Sequence, residues 1–183
     1  MIHINYHNIT HDDMNNGDGL RVVLWLSGCS HHCMNCQNPQ TWNPNSGIAF
    51  DKNAEEEIFD ELLKDYISGI TLTGGDPLHE NNLKVCNLLY KIKEKFPSKT
   101  IWLYTGYPFE ELKEMYKTMQ FAFSPYNEWK VRWDIIKMCD ILVDGEYIEE
   151  QKDITLKWRG SKNQRVINIP ETLKQNKIIL YCD

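Results

Sequence analysis

The chain has 183 residues, of which 42% are hydrophobic and 11% aromatic, enough for one packed core, and no apolar run approaches the ~20 residues of a membrane span. A formal net charge of −6 argues against nucleic acid as a partner, because holding a phosphate backbone takes clustered Lys and Arg. No fixed-period repeat, low-complexity tract or long Gly/Ser or Pro linker divides the sequence, so residues 1–183 are expected to form a single domain.

Residues 1–6 alternate apolar and polar side chains and read as a strand, followed by a polar, glycine-containing loop over 11–19. Residues 20–26 are almost wholly apolar, the pattern of a strand covered on both faces. A cysteine-rich loop follows, then an irregular connection marked by Pro39, Trp42 and Pro44. Residues 53–66 predict a helix, with Asn53 and Glu56 as a capping pair and Ile58, Phe59, Leu62, Leu63 and Tyr66 on one face. Its acidic residues Glu55, Glu56, Glu57, Asp60 and Glu61 read as a solvated face beside a favourable N-terminal dipole rather than as catalytic carboxylates.

A strand over 69–73 runs into Gly74-Gly75-Asp76-Pro77, and 83–96 is the next helix, with Leu88, Leu89 and Ile92 inward. The unit recurs as a strand over 100–104, a turn at 105–108 and a helix over 109–119. It recurs again as a helix over 129–138 and a strand over 139–143 that ends in Asp144-Gly145; 154–158, 165–169 and 177–181 supply the last strands. Alternating β and α predicts an α/β fold with a mainly parallel sheet. A complete (β/α)8 barrel takes about 250 residues, so an open or partial barrel is expected, with the loops after the strands gathered on one rim. Ligands in such folds sit beyond the carboxyl ends of the strands.

Two loops at those ends carry chemistry. The first is Cys29-Ser30-His31-His32-Cys33-Met34-Asn35-Cys36, three thiols with no fourth nearby; Cys86, Cys139 and Cys182 stand singly, as small buried hydrophobes do. Iron–sulfur clusters normally take four thiolates, so three would leave one iron of a 4Fe-4S cluster open to a small molecule. A closed Cys3His zinc site completed by His31 or His32 is the alternative. A disulfide framework fits less well, since the chain starts with no charged n-region and apolar h-region that would direct it to an oxidising compartment. The second loop is Gly74-Gly75-Asp76. It is either a tight turn or a place where a ligand approaches bare backbone while Asp76 accepts hydrogen bonds from an ammonium. Together the loops suit a ligand with an amino-acid end and an iron-chelating group.

On these residues the chain resembles the radical S-adenosylmethionine enzymes, and within them the activases of anaerobic ribonucleoside-triphosphate reductase. The matching stretches are Asn16-Gly17-Asp18-Gly19-Leu20-Arg21, the cysteine loop continuing through Gln37-Asn38-Pro39-Gln40-Thr41-Trp42, and Thr73-Gly74-Gly75-Asp76-Pro77-Leu78. Further matches are Tyr104-Thr105-Gly106-Tyr107, Val143-Asp144-Gly145 and Arg159-Gly160-Ser161-Lys162-Asn163-Gln164-Arg165. The resemblance implies a partial barrel in which Cys29, Cys33 and Cys36 hold a 4Fe-4S cluster. Gly74, Gly75 and Asp76 would hold the methionine end of S-adenosyl-L-methionine, and backbone groups of Asn35, Cys36 and Gln37 would meet its adenine edge. Thr105, Asp144 and Arg159 are rim candidates; for the last two a structural ion pair or turn role is the equal alternative. His31 and His32 would not be ligands, although either could hydrogen-bond near a sulfur and tune it. Two departures stand out: Asn35 replaces an aromatic residue common in the superfamily, and Asp76 replaces the commoner Glu, keeping the carboxylate at shorter reach.

The implied activity takes one electron from a reductant such as flavodoxin or ferredoxin, cleaves S-adenosylmethionine to methionine and a 5′-deoxyadenosyl radical, and removes hydrogen from a glycine of the anaerobic reductase. The expected setting is the cytoplasm. Another glycyl-radical activase or a small-molecule radical enzyme is the nearest alternative, and a zinc-stabilised interaction module is the alternative from a different class. The ferredoxin-like extra cysteines that mark some other activases are absent from the sequence.

Overall fold

The computed structural model describes residues 4–79, 83–119 and 127–182. In chain order the elements are β1 (Asn5–Asp13), β2 (Leu20–Leu26), β3 (Ile48–Ala49), α1 (Lys52–Leu62), β4 (Ile67–Gly74), α2 (Leu83–Lys95) and β5 (Thr100–Tyr104). These are followed by α3 (Phe109–Met119), α4 (Glu128–Met138), β6 (Ile141–Asp144), β7 (Arg165–Asn168), α5 (Ile169–Gln175) and β8 (Leu180–Cys182). The eight strands among the described residues join one sheet in the order β3-β1-β2-β4-β5-β6-β7-β8. Among the described residues no helix is long and apolar enough to cross a membrane.

The alternation of side chains along each strand decides what covers the two faces. Val22, Leu24, Ile70, Leu72, Ile101, Leu103 and Leu142 point to one face and form a single buried cluster with Ile58, Leu62, Leu88, Leu89, Ile92, Leu112, Ile135 and Ile136 of the helices. On the other face Trp102, Ile141, Val143 and Val166 pack with Tyr104, Trp158 and Cys182. Arg21 also lies on this second face and is fully buried. Its five N–H groups reach Thr71 Oγ1 at 2.8 Å, the Asp18 carbonyl at 3.0 Å, Thr100 Oγ1 at 2.9 Å, and the carbonyls of Ile70 and Thr100 at 2.7 and 2.9 Å. Burial pulls the Arg21 guanidinium down to about 10, with Tyr104 and more distant carboxylates opposing. Every donor is satisfied, although none of the five acceptors is a carboxylate.

The sheet is mixed rather than mainly parallel. β2–β4, β4–β5 and β5–β6 are parallel, whereas β1–β3, β1–β2, β6–β7 and β7–β8 are antiparallel. A parallel pair needs a crossover of a dozen or more residues, usually helical. The link from β6 to β7 contains no α-helix and α5 has only seven residues, so the chain reverses there instead.

Several element boundaries also differ from expectation. β1 continues through Asp13 because residues 8–13 pair with β2 as far as Asp13 opposite Arg21, so 11–13 is strand, not loop; residues 1–3 of the expected strand lie outside the described residues. α1 is capped by Asp51, whose side chain accepts from Ala54 N at 3.0 Å, and not by Asn53. It ends before Leu63 and Tyr66, which are exposed. Cys139 is the C-cap of α4 and not part of a strand. Residues 154–158 form turns, with Ile154 91% exposed, since no neighbouring strand offers them a partner. The sequence reading missed β3 and α5.

Candidate functional site

The cysteine loop begins at the carboxyl end of β2 and is pinched at its base. Gly28 N–H donates to the Thr41 carbonyl at 2.7 Å and Cys29 N–H to the Trp42 carbonyl at 3.1 Å. Between these points the chain turns through left-handed backbone at His32 (φ 50°) and Asn35 (φ 56°), and Cys36 N–H closes a turn onto the Cys33 carbonyl at 3.1 Å. Asn38 N–H then donates to Cys36 Sγ at 3.4 Å. Cys29, Cys33 and Cys36 are all free and partly buried. Burial pushes the Cys29 thiol up to about 11 and raises that of Cys33.

The GG loop at the end of β4 is joined to that base. Gly75 N–H donates to the Leu26 carbonyl at 2.7 Å and Asp76 N–H to the Gly28 carbonyl at 2.8 Å. A Cβ on Gly75 would lie 2.4 Å from the Gly28 oxygen, and Gly74 has φ +97°, so both glycines serve the close approach of two backbones. Asp76 itself is 4% exposed. Its Oδ1 accepts from Leu78 N at 2.8 Å and Thr105 Oγ1 at 3.0 Å. Its Oδ2 accepts from Thr105 Oγ1 at 2.8 Å, Gly106 N at 3.0 Å and His31 Nε2 at 2.8 Å. The other ring nitrogen, His31 Nδ1, meets Glu146 Oε1 at 2.8 Å. Burial disfavours a charged ring here, but the hydrogen bonds and charges of Asp76 and Glu146 outweigh it and push His31 up to about 9.

Asp144, at the end of β6, is 1% exposed and salt-bridged to Arg165 of β7, with Arg165 Nε at 3.0 Å from Oδ1. The other oxygen accepts from Phe109 N at 2.8 Å, at the start of α3. Arg165 also forks onto Glu110 at 2.9 and 2.6 Å and holds that carboxyl below its ordinary range. Asp144 is therefore held in a buried ion pair at the strand ends of the sheet. Arg159 donates from Nη1 to the Gln164 carbonyl at 3.3 Å, while its buried Nε has no hydrogen-bond partner. It shares a cavity of about 350 Å³ with Cys36, Gln37, Trp25, Thr73 and Tyr104. A second cavity, of about 700 Å³, is bordered by His31, Gly106, Tyr107, Asp144, Glu146 and Asn163. Asn35 is exposed.

The structure thus gathers Cys36, Gln37 and Arg159 on one cavity, and ties Gly75, Asp76 and Thr105 to the base of the cysteine loop. His31 has a part the sequence did not suggest, as a partner of Asp76; Gly106 was named only within a matching stretch, and Glu146 was not singled out at all. The donor set suits a cluster. His31 is engaged by two carboxylates, and His32 packs on Trp42 at 4.7 Å. Among the described residues no group of three or more His, Cys, Asp or Glu is arranged to hold a single metal ion, whereas a cluster takes each thiolate on a different iron.

The 4Fe-4S single cluster domain family matches residues 15–167. The anaerobic ribonucleoside-triphosphate reductase-activating protein of Enterobacteria phage T4 is 40% identical over 166 residues, spanning 89% of this chain and 93% of the relative. The protein of the same description from Escherichia coli is 37% identical over 166 residues, spanning 89% of this chain and 97% of the relative. That from Vibrio cholerae is 40% identical over 164 residues, spanning 88% and 96%. With a three-thiol loop at a strand end and this likeness over nearly the whole length of both partners, the chain belongs to the 4Fe-4S single cluster domain family and, within it, to the anaerobic ribonucleoside-triphosphate reductase-activating proteins.

Proposed function

We propose that the chain is a radical S-adenosylmethionine oxidoreductase that activates an anaerobic ribonucleoside-triphosphate reductase. The observation that carries this reading is the junction of two loops at neighbouring strand ends: three free thiols after β2, hydrogen-bonded at their base to Gly75 and Asp76 after β4. When bound, a 4Fe-4S cluster and S-adenosylmethionine supply a 5′-deoxyadenosyl radical that takes hydrogen from a glycine of the reductase.

Cys29, Cys33 and Cys36 hold the cluster in this reading. Backbone groups of Asn35, Cys36 and Gln37 meet the adenine edge, and Arg159 borders the cavity that Cys36 and Gln37 line. Gly74, Gly75 and Asp76 receive the methionine end, with Thr105 steadying Asp76. Trp25, Thr73 and Tyr104 line the cavity beside them. The sheet and its helices are read as a single-domain partial barrel whose open rim accepts a glycine-bearing loop of the large partner. A one-electron donor such as flavodoxin or ferredoxin completes the system in the cytoplasm.

The test is to mix cluster-loaded protein, S-adenosylmethionine, a strong reductant and the cognate reductase without oxygen. A stable glycyl doublet by electron paramagnetic resonance is expected, and it disappears, with the iron, in Cys29→Ala, Cys33→Ala and Cys36→Ala. No doublet from protein with an intact cluster would turn the reading to a small-molecule radical enzyme; zinc alone on metal analysis would end it.

A further inference from the structure

A carboxylate offers about four lone-pair positions, and those of Asp76 are already taken by Leu78 N–H, the Thr105 hydroxyl, Gly106 N–H and His31 Nε2–H. An ammonium can reach Asp76 only if one donor leaves. Two of the four are backbone groups. Thr105 is 5% exposed, and its Oγ1 also accepts from Tyr107 N at 3.2 Å, which fixes it. His31 alone is a side chain with somewhere to go, because it borders the cavity of about 700 Å³ and its far nitrogen is held by Glu146, whose side chain is 54% exposed.

We infer that His31 stands in for the ammonium of the ligand: it occupies Asp76 in the free protein and must swing away, toward Glu146 and the adjoining cavity, for the methionine end of S-adenosylmethionine to bind. The inference rests on the assignment of Asp76 to that amine. Both ring nitrogens of His31 face carboxylate oxygens, Nε2 toward Asp76 and Nδ1 toward Glu146. The exchange replaces one N–H donor on Asp76 by another, so the buried carboxylate keeps its full set of hydrogen bonds. A ligand with no N–H donor at that end cannot make this exchange. His31 thereby sets a requirement for an amine that a bare carboxylate would impose less strongly, because a ligand without one must either leave the ring in place or strand Asp76. Gly106 permits the closed position, since a Cβ there would lie 2.5 Å from the imidazole Cδ2.

The experiment measures equilibrium binding to cluster-loaded protein under anaerobic conditions, with two probes: S-adenosylmethionine, and 5′-methylthioadenosine, which lacks the amino-acid end. In His31→Ala, S-adenosylmethionine should bind about tenfold tighter if the closed arrangement holds roughly nine-tenths of the free protein, while 5′-methylthioadenosine binds as before. Asp76→Asn should weaken S-adenosylmethionine. If His31→Ala at full iron content binds S-adenosylmethionine no tighter while Asp76→Asn weakens it, the exchange is refuted; an equal gain for both probes also refutes it, because that is mere cavity opening. If Asp76→Asn binds S-adenosylmethionine as the parent does, the fault lies in the amine assignment. Should His31→Ala fail to load iron, His31→Gln, which keeps a neutral donor, is held to the same comparison and should show a smaller gain confined to S-adenosylmethionine.

Discussion

Replacing Arg165 with methionine removes the cation that Asp144 faces while leaving most of the side-chain volume. Asp144 is 1% exposed, so the change strands a buried carboxylate; breaking such a pair from one side costs about 3–5 kcal/mol. The bond from Phe109 N at 2.8 Å and the favourable N-terminus of α3 remain, which places the expected loss near the lower end, at about 3 kcal/mol. The other arm of the same arginine reaches Glu110, whose side chain is 61% exposed, and exposed pairs contribute only about 0–1 kcal/mol. Glu110→Gln should therefore cost less than about 1 kcal/mol. Urea unfolding of matched, cluster-loaded samples checks both, since a loss of about 3 kcal/mol at a slope of about 2 kcal/mol/M lowers the midpoint by about 1.5 M with the slope unchanged. Arg165→Met within about 1 kcal/mol of the parent, or equal costs for the two variants, would refute the division of labour between buried and exposed arms.

Arg159→Met should keep its iron but bind S-adenosylmethionine about tenfold more weakly, because the lost guanidinium borders the same cavity as Cys36 and Gln37; unchanged binding by equilibrium dialysis would return Arg159 to a purely structural role. Cys139→Ala should keep both iron and ligand binding and lose about 1 kcal/mol of stability, since Cys139 is 2% exposed and its thiol donates to the Ile135 carbonyl at 3.3 Å; loss of iron would place it among the ligands.

The parts of the fold that were legible in the sequence are those governed by local pattern. β5 and α3 lie where apolar runs and amphipathic spacing put them, and the cysteine and GG loops follow β2 and β4 as expected. The mixed sheet was not legible, because strand direction depends on how the chain returns, and a stretch such as 165–168 has the same apolar character in either direction. α5 did leave a signal: Asn168 caps it through Glu171 N at 3.0 Å, and Pro170 sits in its first turn. Reading 165–169 as a single strand hid that boundary. Around the site, the thiols announced themselves by spacing, whereas the saturation of Asp76 depends on residues 31, 105 and 106, which meet it only in the fold. Asp144 shows the same limit, since its partner is 21 residues away on the next strand.

The buried guanidinium of Arg21 also has a consequence for how the sheet assembles. Its five partners belong to residues 18, 70, 71 and 100, so they come together only when β2, β4 and β5 are aligned side by side. A slip of one residue would turn Arg21 to the opposite face, among the leucines and isoleucines under the helices, where a charge without acceptors costs several kcal/mol. Parallel strands joined by long crossovers are slow to find one another, and a run as uniformly apolar as residues 22–24 would tolerate near misses. Arg21 penalises those near misses and so proofreads the pairing of the three strands from whose ends the candidate site is built.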